Sequence, residues 1–495
     1  MKILSVEEGR LCDQEAMKAL DHPGALMEEA AHRALQHCFA KQWITPSDHV
    51  LVFAGPGDNG GDAYLIAEAL IHQKIRVTLV DYAPTLERST LNHTHHRRLR
   101  DKTKLYLIRE MTDELLKQVT VVVDGVFGVG LTRPLEADLV AFISNLNQRN
   151  VLKIALDLPS GLQGDSGQAL PIAFKAHHTL VLGHYKPGHF LNDALDYVGA
   201  CHVIPLSLPD YQPKRTRWFV GEKHPFINHR RHNSHKYTHG HVLIIGGSKT
   251  YKGAPLLSAY AAARSGCGMV SLLTEDDLTL KVLEQWPDML TFNKTTLMEH
   301  FPWHKPFVVA YGMGFGQRKE PDVLKECLKH ADVCVIDAEG MEDYKALVME
   351  ERSQTHIVLT PHLAEAARLV DVTLEELKKD PLTLLEAYAQ THQCTLLLKG
   401  PTTCIIRPNE TLFTTYGTPA LAVAGSGDVL TGLCASLFAQ GHYEADLLAV
   451  AMHGYAAKQA SKVYHAHGVM ASDLIAQLST TLKTFTTPKK ADEMP

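Results

Sequence analysis

Short, unbroken apolar runs that recur between helical stretches constrain this chain more than any other feature. Up to residue 200 they are VLVFAG (50–55), IRVTLV (75–80), TVVVDG (120–125), LKIALD (152–157) and HHTLVLG (177–183). A strand with one face in water would alternate apolar and polar residues. A continuous run belongs to a strand covered on both faces, as in a parallel sheet between helix layers. From Ile204 to Thr238 the pattern lapses into a stretch with four prolines and Arg230, Arg231 and Lys236. It then resumes with HVLIIGG (241–247), MVSLLT (269–274), FVVAYG (307–312), VCVIDA (333–338), HIVLT (356–360) and CTLLLKG (394–400). Two successive α/β units are expected: residues 1–212, a linker over 213–235, and residues 236–485, with 486–495 a frayed tail.

Composition narrows the function classes. A net charge of −6 argues against nucleic acid or an anionic membrane as the main partner. No apolar run reaches the roughly 18 residues of a spanning helix, and the acidic start MKILSVEEGR is not a signal peptide. Nine cysteines with no CxxC pair read as reduced thiols in a cytoplasmic protein. The 29 histidines invite a metal reading, yet no HExxH or spaced ligand set exists. His93, His95 and His96 beside Arg97 and Arg98 read as a solvated face, and His224 to His241 fall in an irregular basic stretch. Apart from His362, the histidines are left as surface.

Gly55, Gly57 and Gly60 in VLVFAGPGDNGGDAYLIAEAL satisfy GxGxxG, and Asp81 follows where a ribose-binding acid would sit, which suggests a dehydrogenase. Against that stands Asp62, expected in the first helical turn, where a pyrophosphate needs positive potential. Asn59 and Gly61 make the loop better suited to a hydroxyl-rich ligand or a hard cation. Two further strand ends carry Asp124, before Gly128 and Gly130, and Asp157, before Ser160. Ligands of open parallel sheets bind beyond the carboxyl ends of strands, where Asn59, Asp124 and Ser160 would offer oxygen to a hard cation.

The second unit holds the sharper motif, GTPALAVAGSGDVLTGLCASLFAQG (417–441). Gly425 and Gly427 free the backbone, a helix is expected from Asp428, and its first NH groups form an anion hole for a phosphoryl group. Asp428 is placed to accept a hydroxyl proton. Gly253 and Ala254 permit a flat ligand to approach the backbone, and YGMGFG (311–316) is another strand-end loop. His362 and Glu365 share one side of a helix entry, and Lys399 and Gly400 open a loop suited to an adenine nucleotide.

GPGDNGGDA, DGVFGVGLTRPL and DLPSGL resemble the three signature loops of the NAD(P)H-hydrate epimerases, a Rossmann-like three-layer α/β fold with a parallel sheet. The resemblance implies a hydrate site lined by Asp58, Asn59, Gly60, Gly61 and Asp62, and by Gly128, Val129, Gly130, Leu131, Thr132, Arg133 and Pro134. It implies that Asp157 contacts the hydrate and does acid/base work, and that Asn59, Asp124 and Ser160 hold a potassium ion. Asp58 stands where that family usually has Asn, and Ala63 where it usually has Gly. The second unit resembles the ribokinase-like, ADP- or ATP-dependent NAD(P)H-hydrate dehydratases. There Ala254, Gly314, His362 and Asp428 would face the hydrate, with Asp428 as base. Lys399, Gly400, Pro401, Thr402, Thr403 and Gly427 would face the nucleotide with its Mg2+. Met313 replaces that family's usual proline, and VIDAEG its DADAL-like run. The whole chain resembles the bifunctional NAD(P)H-hydrate repair enzymes, which implies small-molecule substrates; a homo-oligomer is expected. The rival is a ribokinase-like small-molecule kinase with a non-catalytic ligand-binding N-terminal domain.

Overall fold

The computed structural model describes residues 1–22, 24–82, 87–100, 103–273, 286–347 and 355–487. The chain divides into two compact units, Met1–Phe219 with Lys378–Asp380, and Val220–Leu377 with Pro381–Pro495.

In the first unit, β1 (His49–Ala54), β2 (Arg76–Asp81), β3 (Leu105–Leu107), β4 (Val121–Gly125), β5 (Leu152–Leu156), β6 (His178–Leu182) and β7 (Ala200–Ile204) form one sheet. Its order is β3-β2-β1-β4-β5-β6-β7, and every pair is parallel. The continuous runs follow from burial of both faces. Val50 and Val52 of β1 join Ala34, Leu35, Tyr64 and Ala67 on one side, while Leu51 and Phe53 join Leu139, Phe142 and Ile143 on the other. Strand order reverses between β1 and β4, which opens a crevice at their carboxyl ends.

The remaining strands are β8 (Thr216–Gly221), β9 (His241–Ile245), β10 (Met269–Leu273), β11 (Leu290–Phe292), β12 (Val308–Tyr311), β13 (Val333–Ile336), β14 (His356–Leu359), β15 (Thr395–Leu398), β16 (Cys404–Ile406) and β17 (Glu410–Thr414). The second sheet runs β11-β10-β9-β12-β13-β14-β15-β16-β17-β8, reversing between β9 and β12. Its pairs are parallel from β11 through β15 and antiparallel from β15 to β17.

Several expectations change. The stretch 213–235 contains strand β8, and Ile3 donates to the Arg217 carbonyl at 2.9 Å. Thr487 is tied by a 3.0 Å bond to the Ile227 carbonyl, so the frayed tail does not begin at 486, and 488–495 lie outside the described residues, as does Thr274. His95 is buried and His96 Nε2 sits 3.1 Å from Asp81 Oδ2, so that histidine cluster is not simply a solvated face. Asp81 is buried and held by both Arg88 bonds, at 2.6 and 2.8 Å, which occupies the carboxylate a ribose would need. All nine cysteines are free thiols. No helix among the described residues is long and apolar enough to cross a membrane.

Histidines also pack inside the first unit. Trp43 stacks on His178 at 3.8 Å between ring centroids, and His178 Nδ1 lies 3.2 Å from His202 Nε2, with the His37 ring 5.2 Å from that of His202. Burial lowers all three, aided by one another and by His177 and Lys41. Lowered histidines keep their stabilising contribution above the unfolded value of 6.5 and lose it as pH falls through that region. The thermal midpoint of the first unit is therefore expected to drop between pH 7 and pH 5, and replacing His202 with Gln should blunt that drop.

Candidate functional site

The crevice of the first sheet deepens into a cavity of about 560 Å³. The helix Asp58–His72 starts right after β1, so Asp58 and Asn59 lie in its first turn rather than in a loop, and Asp62 lies one turn further in. Asp58, Asn59, Asp62, Gly128, Val129, Gly130, Leu131 and Asp157 all line the cavity. Gly60 and Gly61 are buried behind it. A Cβ on Gly60 would come 1.9 Å from the Gly55 carbonyl oxygen, so this glycine serves close helix–strand packing. Thr132, Arg133 and Pro134 are exposed and do not line the cavity.

Asp157 sits in the left-handed region at φ 60°, a conformation that costs a non-glycine residue roughly 1–3 kcal/mol and is held only by its surroundings. The buried His189 supplies that support, donating from Nε2 to the Asp157 carbonyl at 2.8 Å while its Nδ1 accepts from Lys186 NH at 3.0 Å. His189 corrects the reading of the histidines as surface. Asp157 Oδ1 is buried without a hydrogen-bond partner, as are Asp62 Oδ1 and Asn59 Oδ1. Burial, with Asp157, Asp58 and Asp13 nearby, pushes the Asp62 carboxyl well up.

Behind these, Asp124 is buried and accepts from Ser160 Oγ at 2.6 Å and from Ser160 NH at 2.8 Å. Burial pushes Asp124 up to about 6, although the Ser160 bonds pull the other way. Asn59 Nδ2 donates to the Leu156 carbonyl at 3.3 Å, which leaves its orphaned Oδ1 as an acceptor in need of a donor or a cation. Asp13 and Lys186 also line the cavity, and neither stood out in the sequence. Lys186 follows β6 at the same sheet edge, which was its only signal.

In the second unit, Gly425 caps the helix Ser426–Ala439 at φ 87°, two residues earlier than a start at Asp428. Asp428 is thereby a first-turn residue whose own carbonyl accepts from Ser258 Oγ at 2.7 Å. Burial and the Asp337 charge push its carboxyl up to about 7, against the pull of Lys399. Lys399 Nζ donates to Asp337 Oδ1 at 2.8 Å and lies 3.8 Å from Glu365 Oε2. A Cβ on Gly427 would meet that Nζ at 3.3 Å, which puts the helix start directly against the ion pair. Burial alone would raise Asp337. The Lys399 ammonium and a 2.6 Å bond from Thr360 Oγ1 instead hold it low.

His362 is exposed and caps the helix Leu363–Leu369, with Nδ1 accepting from Ala364 and Glu365 NH and Nε2 3.1 Å from Glu365 Oε1. It also bridges in parallel to Lys399, which joins the two loops. Ala254 and Gly314 meet at the next strand ends, where a Cβ on Gly314 would lie 2.8 Å from that of Ala254. Gly400, Pro401, Thr402 and Thr403 form the turn between β15 and β16, with Thr402 buried and its Oγ1 unpartnered. Asp337, the pivot of the cluster, appeared in the sequence only as the end of an apolar run and within VIDAEG, with no role given to its carboxyl.

Comparison with known proteins matches both halves. The family model described as NAD(P)H-hydrate dehydratase covers residues 242–480, and that described as YjeF-related protein N-terminus covers 23–188. The bifunctional NAD(P)H-hydrate repair enzyme of Thermosynechococcus vestitus is 32% identical over 477 residues, covering 93% of each chain. That of Dictyoglomus turgidum is 29% identical over 504 residues, covering 96% of this chain and 97% of its own. A solved structure of the ADP/ATP-dependent NAD(P)H-hydrate dehydratase from Bacillus subtilis, co-crystallized with ATP/Mg2+, is 25% identical, covers 52% of this chain and 95% of its own, and has a TM-score of 0.45. By the two family models and the relatives matched along nearly its whole length, the chain belongs to the family of bifunctional NAD(P)H-hydrate repair enzymes.

Proposed function

We propose that the two sites divide one repair. Hydration of NADH or NADPH puts a proton on one enamine carbon of the nicotinamide ring and a hydroxyl on the carbon beside the ring nitrogen. That carbon becomes stereogenic, so the hydrate exists as two epimers. The first unit interconverts them, and the second dehydrates one of them at the expense of ADP or ATP. The observation that carries the reading is Asp428, a half-buried carboxyl pushed up to about 7 at a helix start. There it takes the hydroxyl proton as the phosphoryl group is transferred, while the helix NH groups and Lys399 hold the transferred charge. Phosphate is a better leaving group than hydroxide, and its loss restores the ring double bond. Ala254, Gly314 and His362 face the hydrate in this reading, and Gly400 to Thr403 with Gly427 face the nucleotide and its Mg2+.

In the first unit, Asp157 contacts the hydrate and moves its protons, with Asp58, Asn59, Asp62 and the loop of Gly128 to Leu131 around it. The orphaned Asn59 Oδ1, with the buried Asp124 and Ser160 at the same sheet edge, suits an oxygen-bound potassium ion, which would supply fixed positive charge to anchor the hydrate. A homo-oligomer in the cytoplasm belongs to the same proposal, the free thiols agreeing with a reducing compartment.

The test uses each purified epimer with the full chain. Without nucleotide, the epimers should interconvert, and more slowly when sodium replaces potassium. With ADP or ATP, NADH absorbance and free phosphate should appear together. A stable phosphorylated product would support a kinase instead. Asp157→Ala is expected to slow interconversion by about 10²-fold while leaving dehydration of the accepted epimer unchanged.

A further inference from the structure

The helix Val6–Ala19 precedes residues 23–188, the part matched by the family model, yet it walls the cavity. Val6, Gly9, Arg10, Asp13 and Met17 line the cavity and fall at helical spacing on one stripe. The helix is firmly placed. Ser5 and Glu8 form a capping box, Val6 NH donates to Asp165 Oδ1 at 2.8 Å, and Arg217 pairs with Glu8 at 3.2 Å. Cys12 and Ala16, adjoining the stripe, are buried.

Within this helix the Asp13 side chain makes no hydrogen bond or ion pair with another described residue, so no such contact explains a carboxyl at this position. The charged groups around the cavity come from several elements. Asp58 and Asp62 stand on the helix after β1, Asp157 after β5, Lys186 after β6, Arg10 on the same helix, and Glu87 lies at the wall. Burial pushes Asp13 up to about 6, Lys186 pulls it down, and Asp157 and Asp58 push it up. A carboxyl in this range is able both to give and to take a proton near neutrality.

Epimerisation needs proton handling on both faces of a flat ring carbon, and Asp157, locked in its left-handed turn, serves one face. We propose that Asp13 is the second proton-handling group of the epimerase cavity. The assignment rests on the epimerase reading of the first unit. Asp13 donates its proton to the ring hydroxyl, and the C–O bond breaks with its electron pair going to oxygen, releasing water. The ring-nitrogen lone pair becomes the second bond of an iminium. Water then adds to the opposite face, the nitrogen recovers its pair, and the Asp157 carboxylate takes the proton of the added water. Exchange with solvent returns one proton to Asp13 and removes one from Asp157, so no oxidant or reductant is consumed.

The experiment follows interconversion of one purified epimer by the full chain without nucleotide. Asp13→Asn is expected to lower kcat by about 10²-fold or more with KM within about threefold, and Asp13→Glu to restore part of it. The wild-type rate should fall as pH rises through the Asp13 range, and Asp13→Asn should lose that limb. An unchanged melting temperature of Asp13→Asn shows the first unit folded. The assignment is overturned if Asp13→Asn keeps kcat within about threefold, if the loss is in KM alone, or if the alkaline limb survives the substitution. Absence of interconversion in the wild-type chain would instead overturn the epimerase reading itself.

Discussion

Asp428→Asn is expected to lower nucleotide-driven dehydration by about 10²–10⁴-fold while leaving epimer interconversion at the wild-type rate. The variant keeps the shape of the side chain and the helix start at Gly425, so the first-turn NH groups stay in place and, on the proposed reading, only proton acceptance is lost. A base works in its ionised form. With the carboxyl pushed up to about 7 by burial and Asp337, the wild-type rate should rise with pH through that value and level off above it. In Asp428→Asn the limb should vanish. Stability should move the other way. A carboxyl whose folded value lies above its unfolded one loses stability as pH rises, so at pH 8 the Asn variant is expected to melt no lower than wild type. An Asn variant with full dehydration activity would remove Asp428 as the base. Since both activities reside on one chain, intact interconversion in the same sample excludes a general loss of protein.

How much of this was legible in the sequence depended on what each residue was asked to do. Strands β1, β2, β4, β5 and β6 announced themselves because both faces are covered, which leaves no room for alternation. β3 and β8 are intermediate in burial throughout, and β3 is only three residues long, so their composition carries little signal. The hairpin of β16 and β17 was hidden inside a segment read as a binding loop. Among site residues, the strand-end aspartates were visible because parallel topology sends them to one edge. Asp13 was not, since only the tertiary fold brings the stripe of Val6, Arg10, Asp13 and Met17 against that edge. The GDNGGD segment misled in a different way. Its glycines look like ligand contacts, but Gly60 and Gly61 are demanded by packing, Gly61 against Met27 Sδ at 2.6 Å from where a Cβ would stand. His189 was equally unreadable, because it bonds the backbone of Asp157 from behind and does not line the cavity.

Lys399→Met should have the largest effect on stability. Asp337 is buried, and its partners are the Lys399 ammonium at 2.8 Å, the Thr360 hydroxyl at 2.6 Å and the Ala338 backbone. Removing the lysine leaves a buried carboxylate with only neutral hydrogen bonds, from the Thr360 hydroxyl and the Ala338 backbone, and such a loss costs about 3–5 kcal/mol. For a unit of this size each kcal/mol is about 2–4 °C, so the second unit should melt roughly 10 °C lower. Asp337→Asn in the same chain removes the stranded charge. The double variant should therefore recover much of the loss, with a coupling of about 0.5–3 kcal/mol in a double-mutant cycle. Catalysis offers an independent readout. Lys399 pulls the Asp428 carboxyl down and Asp337 pushes it up. Lys399→Met should thus shift the dehydration limb to more alkaline pH, and the double variant should bring it back toward neutrality. If the single variant melts like wild type and its limb does not move, the ion pair is not what positions this site. If the midpoint falls but the limb stays fixed, the pair holds the fold alone, and the nucleotide-facing role of Lys399 must rest on contacts made only when nucleotide is bound.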